Sequence, residues 1–420
     1  MKINRSFILI LLLTFFSGTL LTLLSPIAID IEKAIPQITQ TDVHFVVSVF
    51  LMVGALSSLF WAILVERFAP KVLLIISTLD WATFEFLTIF TTNVFSLLFF
   101  QIFAAIGFGA ILPITFSLIA NLFEPENRAK AFGLKETIFI IGYGSGFILS
   151  GFLIGPFSWI MPLLIISIGG FSLSFLLLFF KEPVNTNINT QTITSKRWIN
   201  LKDLHQIVIN KFNLMILSFY FVMWIAFGAI AQFFTNLLRN DYNFSPPMAT
   251  IFLIVVFCGQ IPSGIVFGNL ADKWLKRKKG GRLKVLLLCL ICGSILNTIG
   301  FALVISTDNF STIILFLTLT FLGSTFLGAL DPLTQTTISD INPSHLRSTL
   351  FAIFECFKSL GRSLSILLLI TFFNAFHSQY RPGYIILMVL TLLFSIFLVP
   401  LLNYYPENVL ISADNTIKSQ

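Results

Sequence analysis

Twelve apolar runs, most of them about as long as a bilayer-spanning helix, leave this chain few folds to choose from. They lie near residues 6–29, 43–65, 71–93, 94–122, 131–156, 158–181, 211–238, 247–270, 284–306, 309–338, 350–375 and 384–404. A helix needs roughly 20 apolar residues to cross the hydrocarbon of a membrane. There, every backbone polar group must find its partner inside the protein, which selects helices. The sequence is 56% hydrophobic and 11% charged, far more apolar than a soluble core needs, because lipid-facing surface must be apolar too. The first run follows Lys2 and Arg5 but is too long for a signal peptide and has no small-residue cleavage site after it, so it reads as the first membrane helix. The narrowest separations are Thr91-Thr92-Asn93 and Gly155-Pro156.

The chain also repeats. Arg128, Phe132, Glu136 and Gly142 recur as Arg347, Phe351, Glu355 and Gly361, each 219 residues on. Gly109-Ala110 with Pro113 and Gly328-Ala329 with Pro332 keep the same offset. Two related halves follow, residues 1–181 and 211–404, joined by a polar linker at 182–210 and ending in a polar tail at 405–420. In the linker, Trp198–Ile209 has the pattern of a short amphipathic surface helix. Duplicated membrane bundles are a common transporter plan, with the solute site at the repeat interface.

The net charge of +7 points to topology rather than to nucleic acid. With both termini placed in the cytoplasm, cytoplasmic segments hold 21 Lys and Arg and outer loops hold three, Lys33, Arg239 and Arg381. That bias fixes the orientation. Cys289-x-x-Cys292 lies within an apolar run with no His or second Cys pair nearby, so it reads as two small buried residues rather than a metal or redox site. No nucleotide-binding loop, metal cluster or nucleophile constellation is visible. No cofactor and no enzymatic activity are expected.

Two loops carry matched charge patterns. The second is Gly268-Asn-Leu-Ala-Asp272-Lys273-Trp-Leu-Lys276-Arg277, and the first is the weaker Ala62-Ile-Leu-Val-Glu66-Arg67-Phe-Ala-Pro-Lys71. The fifth run carries Gly133, then Gly142-Tyr-Gly-Ser-Gly146-Phe-Ile-Leu-Ser150-Gly151. Over essentially its whole length the chain resembles the major facilitator superfamily, whose hallmark loop Gly-x-x-x-Asp-Arg-x-Gly-Arg-Arg follows the second and eighth helices. The fifth-helix glycines resemble the antiporter motif of drug-efflux members, with Phe147 in place of its Pro and Ser150 in place of one Gly. The resemblance implies twelve helices in two pseudo-symmetric six-helix bundles. It also implies a gate at the loops and a cavity lined by the tenth helix.

Physical reasoning gives the candidate residues their alternatives. Gly268 of the second loop allows close helix approach, and in both loops the acid with its bases either bridges facing helix ends or serves only topology. Glycines in the fifth helix make a smooth face for sliding or for packing alone. Glu136 and Glu355 are expected at the cytoplasmic gate, facing Lys273 and Arg67 respectively, with Arg128 and Arg347 as repeat partners; the alternative is solvated carboxylates at helix ends. Gln101 stands where proton-coupled relatives often have Arg. It either contacts a solute or ties helices together.

Ionisable residues within the membrane mark function by default. Asp80 and Glu85 in the third helix serve transport or helix pairing. Asp331 lies about 12 Å deep in the tenth helix at 1.5 Å per residue. Lys358 falls at nearly the same depth, and Arg362 lies four residues on along the same face. Asp331 is therefore either a coupling group or the structural partner of Lys358. Tyr220, Trp224, Gln232 and Asn236 of the seventh helix either shape the cavity or pack.

The reading is a monomeric membrane transporter that works by alternating access, moving a small organic solute outward in exchange for protons at the cell membrane. Its alternatives are a sugar, organic-anion or lysolipid carrier, by uniport or symport, and a sensor or scaffold with the same fold and no flux.

Overall fold

The computed structural model describes residues 5–65, 67–123, 125–180, 210–277, 280–306, 309–342 and 344–403. The proposed linker, its surface helix and the tail fall outside the described residues, apart from Asn210. Among the described residues there is no strand. The first helices are α1 (Arg5–Leu23), α2 (Ala28–Ala34), α3 (Gln40–Leu64), α4 (Pro70–Thr88), α5 (Val94–Gly109), α6 (Ile111–Leu122), α7 (Pro125–Phe157) and α8 (Ile160–Leu177). After the linker come α9 (Lys211–Phe227), α10 (Ile230–Asp241), α11 (Pro246–Cys258), α12 (Gln260–Arg277), α13 (Gly281–Ala302) and α14 (Phe310–Leu327). The chain continues through α15 (Leu330–Ile341), α16 (Ser344–Ala375), α17 (Arg381–Phe394), a 3₁₀ turn (Ser395–Phe397) and α18 (Leu398–Asn403).

Among the described residues, eleven spans, some of them pairs of these helices, are long and apolar enough to cross a membrane. The third expected span, α4, is a helix of 19 residues, but Lys71, Asp80 and Glu85 make it more polar than the rest. Side chains such as Phe95, Phe179, Ile261 and Phe310 are more than two-thirds exposed. Apolar surface on this scale belongs against lipid, and the chain is an integral, multi-pass membrane protein.

The helices form two compact units, residues 1–196 with 245–250 and residues 197–244 with 251–420. In the first, α1 packs on α7, and α4 packs on α5 and α8. In the second, α9 packs on α16, and α13 packs on α14 and α17.

Four runs expected as single helices are each broken in two, at Gly109-Ala110, Gly228-Ala229, Gly259 and Gly328-Ala329. Three of the breaks have a proline cause. Pro113, Pro262 and Pro332 offer no N–H to the carbonyls of Gly109, Cys258 and Gly328, four residues earlier. Freed backbone groups in a membrane must be satisfied by neighbours. Ser365 Oγ accepts from the Ala229 N–H at 2.8 Å, and Tyr384 Oη donates to the Ile230 carbonyl at 2.9 Å. Beside the first break, Trp61 Nε1 donates to the Ile106 carbonyl at 2.8 Å. Ser324 Oγ donates to the Val256 carbonyl beside the third.

Another expectation needs correction. Gly155-Pro156 is not a loop: α7 runs through it to Phe157. The chain turns instead at Ser158, whose φ is 123°. A proline within the last turn costs a single backbone bond and does not end the helix.

The glycines that recur across the repeat do matching work. Gly142 lies against the Phe15 backbone of α1, where a Cβ would collide. At Gly361 an added Cβ would come within 2.7 Å of Trp224 Cβ and 3.0 Å of the Phe221 carbonyl of α9. Each therefore lets the long helix of its unit approach that unit's first helix.

Gly142→Ala is expected to destabilise the protein by about 1–3 kcal/mol through backbone overpacking. Gly133→Ala, whose Cβ would meet nothing within 4 Å, is expected to lose nothing and to gain up to about 1 kcal/mol of helix propensity. Thermal unfolding in detergent compares the two. Ser365→Ala leaves the Ala229 N–H buried and unsatisfied, and a loss of about 1–3 kcal/mol is expected in the same measurement.

Candidate functional site

The second unit gathers its polar side chains around one carboxylate. Asp331 lies in the first turn of α15, just past the break at Gly328-Ala329. Its Oδ1 accepts from Tyr220 Oη of α9 at 2.6 Å. Its Oδ2 accepts from Lys358 Nζ of α16 at 2.6 Å. The side chains of Lys358 and Asp331 are 19% and 28% exposed, so the pair is sheltered yet reachable. Charges in such surroundings attract more strongly than in water, and removing one partner costs about 3–5 kcal/mol when the other is left buried. Glu355, one turn earlier on α16, lies 3.7 Å from the same ammonium.

The indole of Trp224 joins this cluster to a second cation. Lys358 Nζ lies 5.0 Å from its ring centre and Arg362 Cζ 5.9 Å, both within cation–π range. Arg362 Nη2 donates to Gln232 Oε1 at 3.3 Å, and Gln232 is buried. Tyr220 also packs on Phe354, ring centres 5.0 Å apart. Thus Asp331, Lys358, Arg362, Trp224 and Gln232 come together; counting along the sequence had set only Asp331 and Lys358 at one depth. Asn236 is buried further along α10.

Tyr220 as a donor to Asp331 was not legible in the sequence, because a run that is apolar all round does not reveal which face of the helix looks inward. The same applies to Asn213 and Asn342, whose side-chain amides exchange two hydrogen bonds of 2.8 Å between α9 and the end of α15.

In the first unit the candidates do not converge on one centre. Gln101 Nε2 donates to Glu85 Oε1 at 3.1 Å and to Thr88 Oγ1 at 3.0 Å. All three are buried, so Gln101 ties α5 to α4. Asp80 lies beside Gly107, where a Cβ would come within 2.7 Å of its Oδ2. Glu136 pairs with its neighbour Lys135 at 2.8 Å. The Lys135 side chain is 4% exposed, and its ammonium lies 4.7 Å from the centre of the Phe116 ring. Sequence reading passed over Lys135, although a lysine within an apolar run is itself a signal. Of the fifth-helix glycines, Gly142 and Gly146 pack on α1, and Gly151 lies against Thr250, a residue grouped with this unit.

At the loop after α12, Arg282 grips Asp272 Oδ1 through Nε (3.2 Å) and Nη2 (2.6 Å). Gly280, with φ 68°, makes the turn that brings α13 back. Gly281 packs on the backbone of Trp274 and Leu275, where a Cβ would collide. The acid of the motif is thus held by the next helix, ten residues away, a partner sequence reading missed. Lys273 is exposed, and a Cβ at Gly268 would meet nothing within 4 Å. In the first copy Arg67 is exposed, and Lys71 Nζ donates to the Leu178 carbonyl at 2.7 Å. Glu66 and the side chains of Arg128 and Arg347 fall outside the described residues.

Comparison with known proteins agrees with this architecture. Multidrug resistance protein 2 of Bacillus subtilis (strain 168) is 26% identical over 271 residues, 62% of this chain and 64% of that protein. The putative niacin/nicotinamide transporter NiaP of the same organism is 22% identical over 229 residues, 54% of this chain and 55% of that protein. In each match this chain covers less than two thirds of the relative's length. Among solved structures, a D-xylose-proton symporter superimposes with a TM-score of 0.73 at 15% identity, over 96% of this chain and 97% of the other. That likeness is one of fold. The sequence matches the profile of the Major Facilitator Superfamily over residues 8–279 and 216–414, and the chain belongs to that family.

Proposed function

We propose that this protein is a secondary transporter that carries a small organic solute outward across the cell membrane by alternating access, in exchange for protons, with both termini in the cytoplasm. The observation that carries the reading is Asp331, a sheltered carboxylate whose two oxygens are held by groups from two different helices, Tyr220 of α9 and Lys358 of α16. Adding a proton to that oxygen pair cancels the charge that holds Lys358. Proton occupancy thereby changes how α15 is tied to its neighbours, which is what a coupling site must do. The glycine face of α7 and the multidrug relative support the outward direction.

A second reading has its own observation. Arg362 on the Trp224 face with Gln232 beside it would suit an aromatic carboxylate, with the anion on the guanidinium and the ring on the indole. The name of the niacin/nicotinamide relative is in keeping with such a cargo. The loops at Glu66–Lys71 and Asp272–Lys284 serve as gates in either reading. The Arg282–Asp272 pair ties the end of α12 to the start of α13.

Sealed proteoliposomes with a pH dye inside test the proposal across cationic drugs, sugars and aromatic carboxylates. One solute class is expected to drive proton movement, and Asp331→Asn is expected to abolish that movement while labelled solute still equilibrates. Equal proton movement in wild type and Asp331→Asn would remove Asp331 from coupling. Gln101→Ala is expected to act otherwise. It leaves Glu85 without its amide donor, lowers stability by about 1–3 kcal/mol, and leaves the KM for solute unchanged; a raised KM would place Gln101 at the solute.

A further inference from the structure

Lys358 has two carboxylates within reach, and they belong to different helices. Asp331 on α15 lies 2.6 Å from the ammonium and Glu355 on α16 itself 3.7 Å. The first contact ties two helices together, whereas the second lies within one helix. Residues three apart on a helix share a face, and the four-carbon stem of lysine lets its charge swing without moving the backbone. To close on Glu355 at a normal charge-assisted distance, the ammonium has to shift by only about 1 Å.

The repeat supplies an independent observation. Glu136 occupies the position equivalent to Glu355, 219 residues earlier, and it too holds a lysine, Lys135, at 2.8 Å. The lysines stand at non-equivalent positions, one residue before Glu136 and three after Glu355. In both units, then, the carboxylate at this position faces an ammonium of its own helix.

We propose that Glu355 is the second seat of Lys358: when Asp331 is neutralised, the ammonium passes to Glu355, exchanging the α15–α16 tie for a contact within α16. The proposal rests on the reading of Asp331 as the coupling group and adds Glu355 to that site as a positioning residue. Its balance is simple. One proton binds Asp331, no covalent bond to Lys358 changes, and Lys358 keeps its charge throughout. The groups facing Asp331 and Lys358 are Tyr220 and Trp224 from α9, and Glu355 and Arg362 from α16. Tyr220 stays on α9 and remains beside Asp331 after the exchange. The device cuts the bond between α15 and α16 specifically and strands no buried charge.

The test is a thermal-unfolding cycle on the full chain in nanodiscs, with Asp331→Asn, Glu355→Gln, the double variant, and the double variant plus Lys358→Gln. Each single change leaves Lys358 one carboxylate, so each is expected to give a small fall in Tm. The double change leaves it none, and its fall is expected to exceed the sum of the singles by about twofold or more. Adding Lys358→Gln is expected to recover most of that excess. Additive falls, or no recovery, would overturn the exchange. A flux arm in proteoliposomes follows: Glu355→Gln is expected to keep solute equilibration and lose solute-driven proton movement, and wild-type proton movement in that variant would overturn its part in coupling. Absence of proton movement in the wild type would instead overturn the coupling role of Asp331, while the unfolding cycle would still decide whether Lys358 has two seats.

Discussion

A bilayer offers the backbone no hydrogen-bond partner, and much of this structure answers that constraint. Four spans are broken by glycine, three of them with a proline four residues after the carbonyl it leaves free. In water such breaks would cost little, because solvent would fill them. In hydrocarbon each unpaired group is expensive. Hydroxyl and indole groups of neighbouring helices therefore stand beside the breaks: Ser365 and Tyr384 at the second, Trp61 at the first, Ser324 at the third. The breaks also set the chemistry. Asp331 lies directly after one of them, in a short helix with its own start.

The two units solve packing alike and charge differently. Gly142 and Gly361 bring a long helix onto the first helix of each unit, and Gly109 and Gly328 mark equivalent breaks. The charges diverge around this shared frame. The first unit buries Glu85 with Gln101, and Lys135 under Phe116. The second sets Asp331 and Glu355 on Lys358, and Lys358 and Arg362 on Trp224. Duplication fixes backbone approach, because a glycine contact tolerates no added atom. Side chains that line interior space are freer to change.

That contrast explains what could be read from the residues alone. Run lengths showed the spans, and the 219-residue offset located the matching glycines. Depth along a helix follows from counting, so Asp331 and Lys358 could be set at one level before their contact was seen. Rotation about the helix axis does not follow from counting when a run is apolar on every face, which is why the Tyr220 hydrogen bond and the paired amides of Asn213 and Asn342 went unread. Gly155-Pro156 misled for a local reason: proline ends helices statistically, yet in a last turn it removes only one bond. Arg282 escaped notice because its pairing with Asp272 depends on a left-handed turn at Gly280, which composition does not reveal.

The amide pair of Asn213 and Asn342 has a mechanical meaning. Neither side chain carries charge, so its two hydrogen bonds hold equally well in acid, base and salt. It fixes the end of α15, while Asp331, some 16 Å away at 1.5 Å per residue, is held by an ion pair and a hydroxyl. One end of the helix is thus a pivot and the other a catch. In the proposed exchange, a displacement that begins at the carboxylate would swing the helix about Asn342 instead of sliding it along its axis, with the break beside Gly328 at the free end.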